Sequence, residues 1–391
     1  MSQTLEKRGR AGVVVPKVRE GLDAAQKRGD ILKETRANAI GFLEQNAEAW
    51  MADSIAELVE SKSWTELDDR FYKKLAFGTG GLRGRTIGVV VTAAERGQPT
   101  ALGRPQRPAV GTNCLNDVNV RCATQGLVDY VVSWKKKGGS DAPPVIVFAH
   151  DTRHFSREFA ELAAGTVAEN GGTAWLFESE RSTPELSFAV RQLEADAGVV
   201  ITASHNPPYD NGYKAYFSDG AQVVSPHAEG IIACVNKAAG PTPRPGGSVK
   251  TIGPEIDKLY VERLRTLLLE PELVRKEGGS LKIVYTPLYG TGLKIIPGLL
   301  KDLGFNVIVV PEQASGDGRF PTVKSPNPEN SEALALGIQL AGKEKADLVI
   351  ATDPDADRMG VAVRTHDGRM ELLTGNQIGS ILANYRLDRM F

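Results

Sequence analysis

Cysteine is scarce in this chain of 391 residues. The three present, Cys114, Cys122 and Cys234, are an odd number without metal-ligand spacing, which excludes a disulfide framework and a zinc site. Reduced thiols of this kind suit a cytoplasmic protein. Neither sign of charge is in surplus: Lys plus Arg total 47 against 48 for Asp plus Glu, a formal net charge of -1. That balance leaves no basic footprint for nucleic acid or an anionic membrane. No apolar run approaches the roughly 20 residues of a membrane span. The N-terminal island AGVVVP is too short for a secretory core. What the chain does have is 41% hydrophobic and 24% charged residues, enough for two to three globular domains.

From about 15 to 76 the texture is helical. Apolar residues recur at helical spacing in Ile40, Leu43 and Ala47, widened by Phe42, and again in Ile55, Leu58 and Val59. A glycine-rich stretch, GTGGLRGR at 78–85, then reads as a loop before the apolar run IGVVV. Beyond it, helical patterns alternate with short apolar runs: VIVFAH (145–150), GGTAWLF, AGVVITASHNP (197–207), LKIVYTPLYGTG (281–292), FNVIVV and ADLVIATDPDADR (346–358). Such alternation predicts α/β units with mainly parallel sheets. The segment AAGPTPRPGGS (238–248), rich in Pro and Gly, reads as the linker between two such regions. Three strands, ending at His150, Thr202 and Thr352, run straight into polar loops. In open α/β sheets ligands collect outside the carboxyl ends of the strands, so the chemistry is expected there.

Three constellations carry that chemistry. In Thr202-Ala203-Ser204-His205-Asn206-Pro207 a serine at a strand end is exposed and held by its backbone, which suits a nucleophile or a phosphate carrier. His205 is not expected to form a dyad with Ser204, because neighbouring side chains tend to diverge and no G-x-S-x-G elbow surrounds the serine. Lys214 follows ten residues on, within return distance through an Asn-Gly turn, as a cation or a base. In Asp353-Pro354-Asp355-Ala356-Asp357-Arg358 three alternating carboxylates repel one another unless a cation compensates, and Mg²⁺ with oxygen ligands is the natural one for phosphate work. An EF-hand is a poor match, since its sixth position is Arg358 and its twelfth Arg364. In GTGGLRGR, backbone amides and the forks of Arg83 or Arg85 suit an anion, although a flexible loop explains the glycines equally well. The three sets have complementary charges: a phosphorylated serine, a metal loop and a cationic loop.

These motifs together resemble the α-D-phosphohexomutases. TASHNP followed by NGYK and SDGAQVVSPH resembles that family's active-serine region, GTGGLRGR its N-terminal arginine loop and DPDADR its metal loop; SPNPEN and LTGNQIG are further matches. The resemblance runs from about residue 70 to the C-terminus, and the helical N-terminus is similar to the phosphoglucomutase/phosphopentomutase branch in particular. It implies tandem similar α/β domains with mixed, mainly parallel sheets: a helical extension over 1–70, domain I with the phosphoserine loop over 71–250, domain II with the metal loop over 251–365, and the start of a third domain over 366–391. It also implies a reversible shift of phosphate between sugar carbons, from sugar 1-phosphate to 6-phosphate with glucose the leading sugar, through phosphorylated Ser204 and a bisphosphate intermediate that doubles as activator. Asp353, Asp355 and Asp357 would hold one Mg²⁺ with a phosphate oxygen on Ser204. Arg83 and Arg358 would steady phosphate charge, Lys214 would assist proton transfer, and His205 would help from behind.

The family's sugar-recognising Gly-Glu-x-Ser-Gly loop and its C-terminal Arg-x-Ser-Gly loop are not found, so the expectation is a third domain cut short, a missing fourth, and weak or absent turnover by this chain alone. Its end would then expose the apolar face of ILANY. Two other readings stay open. Strand-Asp-x-Asp also resembles the haloacid dehalogenase motif, with Asp353 as nucleophile, although Asp357 departs from it and TASHNP is left unexplained. The chain would otherwise be a sugar-phosphate-binding or interaction protein without turnover. The partners implied are hexose or pentose phosphates, with no nucleic acid and no membrane; the oligomeric state is not fixed by sequence.

Overall fold

The computed structural model describes residues 2–46, 48–78, 80–100, 102–238 and 243–390. Ala47, Thr79 and residues 239–242 of the Pro- and Gly-rich stretch lie outside them. The chain divides into two compact units, the first Met1–Tyr130 with Tyr209–Tyr213 and Val224–Pro241, the second Val131–Pro208 with Lys214–Val223 and Thr242–Phe391.

Helices dominate the first unit: Ser2–Arg28, Lys33–Gln45, Ala49–Glu60 and Trp64–Phe71 follow one another, as the spacing predicted. Ile40, Phe42, Leu43, Ile55 and Leu58 are buried in one apolar cluster with Leu67 and Phe71, and Val59 packs at its edge. Side chains one helical turn apart share a face, so these stripes close on each other. Thr92 and Glu95 form a reciprocal capping box that starts a short helix. Gly81–Arg85 departs from expectation: it is a strand, β1, entered through a bridge between Gly78 and Gly81. Glycines carry no hydrophobic period, so nothing in the segment announced a strand.

The second unit holds two α/β layers. In the first, β2 (Val145–His150), β3 (Thr173–Phe177), β4 (Ala197–Ile201) and β6 (Ser248–Ile252) run parallel in the order β4-β2-β3-β6. Every residue of β4 is buried, the mark of a parallel strand covered on both faces. Helices Ser156–Glu169 and Thr183–Gln192 do the covering; a Cβ on Gly198 of β4 would stand 2.4 Å from Val190, so only glycine lets that helix lie this close. Between β4 and β6 comes β5 (Asp210–Phe217), whose residues from Lys214 onward count with this unit. In the second layer, β7 (Lys282–Thr286), β8 (Asn306–Val309) and β9 (Leu348–Thr352) are parallel, and β10 (Met359–Arg364) and β11 (Met370–Leu373) add antiparallel, in the order β11-β10-β9-β7-β8. The sheets are thus mixed and mainly parallel, as expected. Sequence reading found β2, β3, β4, β7, β8 and β9 but not β5, β10, β11 or β6, the last of which pairs with β3 and brings Ile252 into the same core.

Ile381, Leu382 and Tyr385 on the last helix, Gly375–Met390, are exposed. Among the described residues no helix is long and apolar enough to cross a membrane.

Candidate active site

Two loops and a helix end of the second unit meet at one cluster. The first leaves β4 as Thr202, Ala203 and Ser204, all buried. Ser204 has φ 54°, a left-handed conformation that costs a residue with a Cβ about 1–2 kcal/mol. On its N-terminal side the Ser204 amide donates to Thr202 Oγ1 at 2.8 Å, and the Thr202 hydroxyl donates to Asp151 Oδ2 at 2.6 Å. Asp151 sits just past β2, wholly buried, and also accepts from the Ser156 hydroxyl at 2.6 Å. Burial pushes its carboxyl up, and the Arg153 charge beside it pulls it back.

The second loop, Asp353–Arg358, turns the chain from β9 into β10. The Arg358 amide donates to Asp353 Oδ1 at 3.1 Å and Ala356 takes φ 54°, so the turn closes on its own first carboxylate. From below, Thr291 N–H donates to the Pro354 carbonyl at 2.8 Å, and a Cβ on Gly290 would stand 2.3 Å from Pro354 Cα. Glycine at 290 is what lets the two backbones touch.

The third element is the end of a helix. Ser182 caps Thr183–Gln192 by accepting from the Glu185 amide, which leaves the Thr183 amide free of the helix ladder. That amide donates to the Asp355 carbonyl at 2.9 Å, and the Thr183 hydroxyl donates to Asp355 Oδ2 at 2.8 Å.

The elements converge through short bonds. Ser204 Oγ donates to Asp353 Oδ2 at 2.5 Å, across 149 residues of sequence. Lys214 Nζ, from β5, reaches Asp355 Oδ2 at 2.6 Å and Asp357 Oδ2 at 2.9 Å. One oxygen from each of Asp353, Asp355 and Asp357 lies within 4.8 Å of the others; the first two residues are buried and the third exposed. Burial, then the charges of Asp355 and Asp357, raise the Asp353 carboxyl. Burial opposes ionisation of Asp355 as well, but the Lys214 charge outweighs it and holds that carboxyl low. Lys214 itself would be lowered by burial; Asp355 and Asp357 hold it above the ordinary lysine range. Asp355 Oδ1 is buried with no hydrogen-bond partner. An all-oxygen donor set with one such orphan and three crowded carboxylates fits a hard divalent cation.

Of the residues singled out from sequence, Ser204, His205, Lys214, Asp353, Asp355 and Asp357 come together here. Two expectations are corrected: Ser204 is buried where the strand end was expected to expose it, and Ser204 Oγ and His205 Nδ1 do meet, at 3.2 Å. The positive φ of Ser204 turns two successive side chains to the same side, where an extended backbone would part them. Arg358 is exposed, its Nε 3.8 Å from Asp357 Oδ1. Arg83 is exposed on β1 in the first unit. Sequence reasoning missed Thr183 and did not assign the Asp151 carboxylate. A Ser-Thr-Pro run before an acidic turn, a helix-start signature, was the available signal for Thr183.

Residues 106–241 match the profile of phosphoglucomutase/phosphomannomutase, alpha/beta/alpha domain I, and residues 258–368 match that of alpha/beta/alpha domain II. The chain belongs to the phosphoglucomutase/phosphomannomutase family. Ser204 and Lys214 fall in the family's domain I segment and Asp353 to Arg358 in its domain II segment, while Arg83 lies before both. A phosphoglucomutase of Staphylococcus epidermidis is 34% identical over 345 residues, covering 86% of this chain and 57% of that protein. One from Staphylococcus aureus is 34% identical over 354 residues, covering 88% and 58%. The chain therefore spans a little under three-fifths of the length of these relatives. Among solved structures, one from Thermus thermophilus assigned as a phosphomannomutase superposes with a TM-score of 0.63 at 26% identity, covering 81% of this chain and 62% of that one. A phosphoglucomutase/phosphomannomutase family protein from Burkholderia thailandensis, at 22% identity and a TM-score of 0.55 over 76% of this chain and 56% of its own, shares the fold.

Proposed function

We propose that the cluster performs the phosphoryl transfer of a sugar-phosphate mutase. Ser204 Oγ accepts a phosphoryl group from a sugar bisphosphate and returns it to a sugar monophosphate, so that phosphate moves between the 1- and 6-positions, with glucose the leading sugar and other hexose or pentose phosphates next. The observation that carries this reading is the 2.5 Å bond from Ser204 Oγ to Asp353 Oδ2, which sets the serine hydroxyl among three carboxylates. Mg²⁺ held by Asp353, Asp355 and Asp357 with an oxygen on Ser204 would neutralise phosphate charge that these carboxylates alone would repel.

The remaining roles belong to the chain's own groups. Asp353 orients the Ser204 hydroxyl, and His205 Nδ1 lies 3.2 Å from the same oxygen. Lys214, a buried ammonium at the same carboxylates, is assigned to proton transfer at the attacking sugar hydroxyl. Arg358 is assigned to phosphate charge, as is Arg83. Preorganised contacts of this type each contribute about 3 kcal/mol to lowering the barrier. Asp353 as the phosphoryl acceptor fits less well, because Oδ2 already accepts from Ser204 and Oδ1 from the Arg358 amide.

The test is peptide mass spectrometry after incubation with glucose 1,6-bisphosphate and Mg²⁺. Phosphate gained on Ser204, stable to acid, supports the reading. A folded protein with Ser204 unmodified, or with a hydroxylamine-labile phosphate on Asp353, overturns it.

A further inference from the structure

We infer that Arg153 is a positioning residue for Ser204, a buried guanidinium clamp that holds the serine loop in the left-handed turn from which its hydroxyl reaches Asp353. The inference rests on the reading of Ser204 as the phosphate carrier and assigns to that site a cation that touches no substrate.

The geometry is specific. The Arg153 side chain is fully buried. Its Nη1 donates to the Pro207 carbonyl at 2.8 Å, and its Nη2 donates to the Ser204 carbonyl at 2.6 Å and to the Asn206 carbonyl. Three carbonyls of a four-residue loop thus point inward at one plane of donors. Without a cation between them these oxygens would repel one another, and the buried Ser204 carbonyl would lose this donor. The Phe320 ring lies against the guanidinium with its centroid 4.9 Å from Cζ, which fixes the plane. Asp151 compensates the charge, with Oδ2 3.4 Å from Arg153 Nε.

Asp151 is also the acceptor for Thr202, which in turn accepts from the Ser204 amide. The peptide groups on both sides of Ser204 are therefore referred to one ion pair: the amide through Thr202 and Asp151, the carbonyl through Arg153. This accounts for a positive φ at a residue that is not glycine. Lysine cannot replace the clamp, because a single ammonium lacks the planar fork that reaches three carbonyls at once. The carboxylate cluster stands on a different loop, 353–358, and is held by its own donors, Thr183, Lys214 and the Arg358 amide. The clamp and the three aspartates therefore rest on separate supports, and Ser204 is the point where they meet.

The experiment compares wild type, Arg153→Met and Arg153→Lys in three readouts. These are the rate of phosphate gain on Ser204 from glucose 1,6-bisphosphate, Mn²⁺ binding by electron paramagnetic resonance, and hydrogen–deuterium exchange of the 202–208 segment. A displacement of the nucleophile by about 1 Å costs about 100-fold in rate. The expected result is a loss of that size in both variants, faster exchange in 202–208, and Mn²⁺ affinity of the unphosphorylated protein within about threefold of wild type, the last because the three aspartates that dominate the cation site lie on a loop the clamp does not touch. Wild-type phosphorylation rates in Arg153→Met, or unchanged exchange in 202–208, overturn the inference. If circular dichroism shows that neither arginine variant folds, Thr202→Val cuts the other arm of the same clamp and is judged by the same outcomes. A wild-type protein that takes no phosphate defeats the proposed function alone, since the exchange readout still decides the clamp.

Discussion

Thr183 donates both its amide and its hydroxyl to Asp355, a residue 172 positions further along the chain. With Lys214 as the second donor to the same oxygen, Asp355 Oδ2 is occupied and Oδ1 is left as the free face of the carboxylate. Replacing Thr183 by valine keeps the shape and removes the hydroxyl. Groups that orient ligands from behind typically alter metal affinity by about 10- to 100-fold, so T183V should weaken Mn²⁺ or Mg²⁺ binding by roughly that factor while costing about 1 kcal/mol of stability. Calorimetric titration of wild type and variant reads it directly; equal affinities would remove Thr183 from the site.

Glu185, two residues on, is a buried carboxylate whose two oxygens have no hydrogen-bond partner. Arg181 is committed to Asp257 by two bonds of 2.7 and 2.9 Å and stays 3.9 Å from Glu185. Burial first, then Asp257, push the Glu185 carboxyl up to about 8, against the pull of Arg181 and Lys294. The folded state keeps a proton that the unfolded chain releases near 4.5. The stability tied to neutral Glu185 is therefore complete below about 4.5 and is lost as pH rises through about 8. Glu185→Gln, neutral at every pH, should show a flatter dependence of denaturant midpoint on pH and gain on wild type above pH 8. Parallel curves from pH 5 to 9 would count against a raised carboxyl here.

In the first unit, Arg70 is buried between Glu66, at 2.7 Å, and Glu95, which also accepts from Ser54 at 2.8 Å and from the Val110 amide at 3.0 Å. Burial opposes the Arg70 charge and Glu95 sustains it. Removing the cation leaves two buried carboxylates facing each other, a change that costs about 3–5 kcal/mol. Arg70→Met is expected to lower stability by that amount in urea unfolding. A loss under about 1 kcal/mol would mean that water or a neighbouring group reaches the carboxylates once the guanidinium is gone.

The parts of the fold that were legible are those where one physical rule dominates. Ile40, Leu43, Ile55 and Leu58 announce helices through their spacing, and the run AGVVI before Thr202 announces a strand buried on both faces. Ser204 and the three aspartates were singled out because each motif follows directly on a buried strand, and the structure brings the four residues together. Thr183 and Arg153 were not assigned, since each acts through bonds to loops distant in sequence, 172 residues away in one case and about 50 in the other. Arg83 was read onto a loop and lies on β1, where glycine hides the strand. The meeting of His205 with Ser204 depends on one backbone dihedral that no residue pattern encodes.

The 149 residues between Ser204 and Asp353 also set an order in time. Arg153, only 51 residues before Ser204, is already synthesised when the serine loop emerges. The acidic turn follows later by on the order of ten seconds at ribosomal speed. A nascent chain thus has the Arg153 donors to its serine loop in hand before it has the acidic turn, and the cluster of Ser204 with the three carboxylates is complete only when that turn has docked.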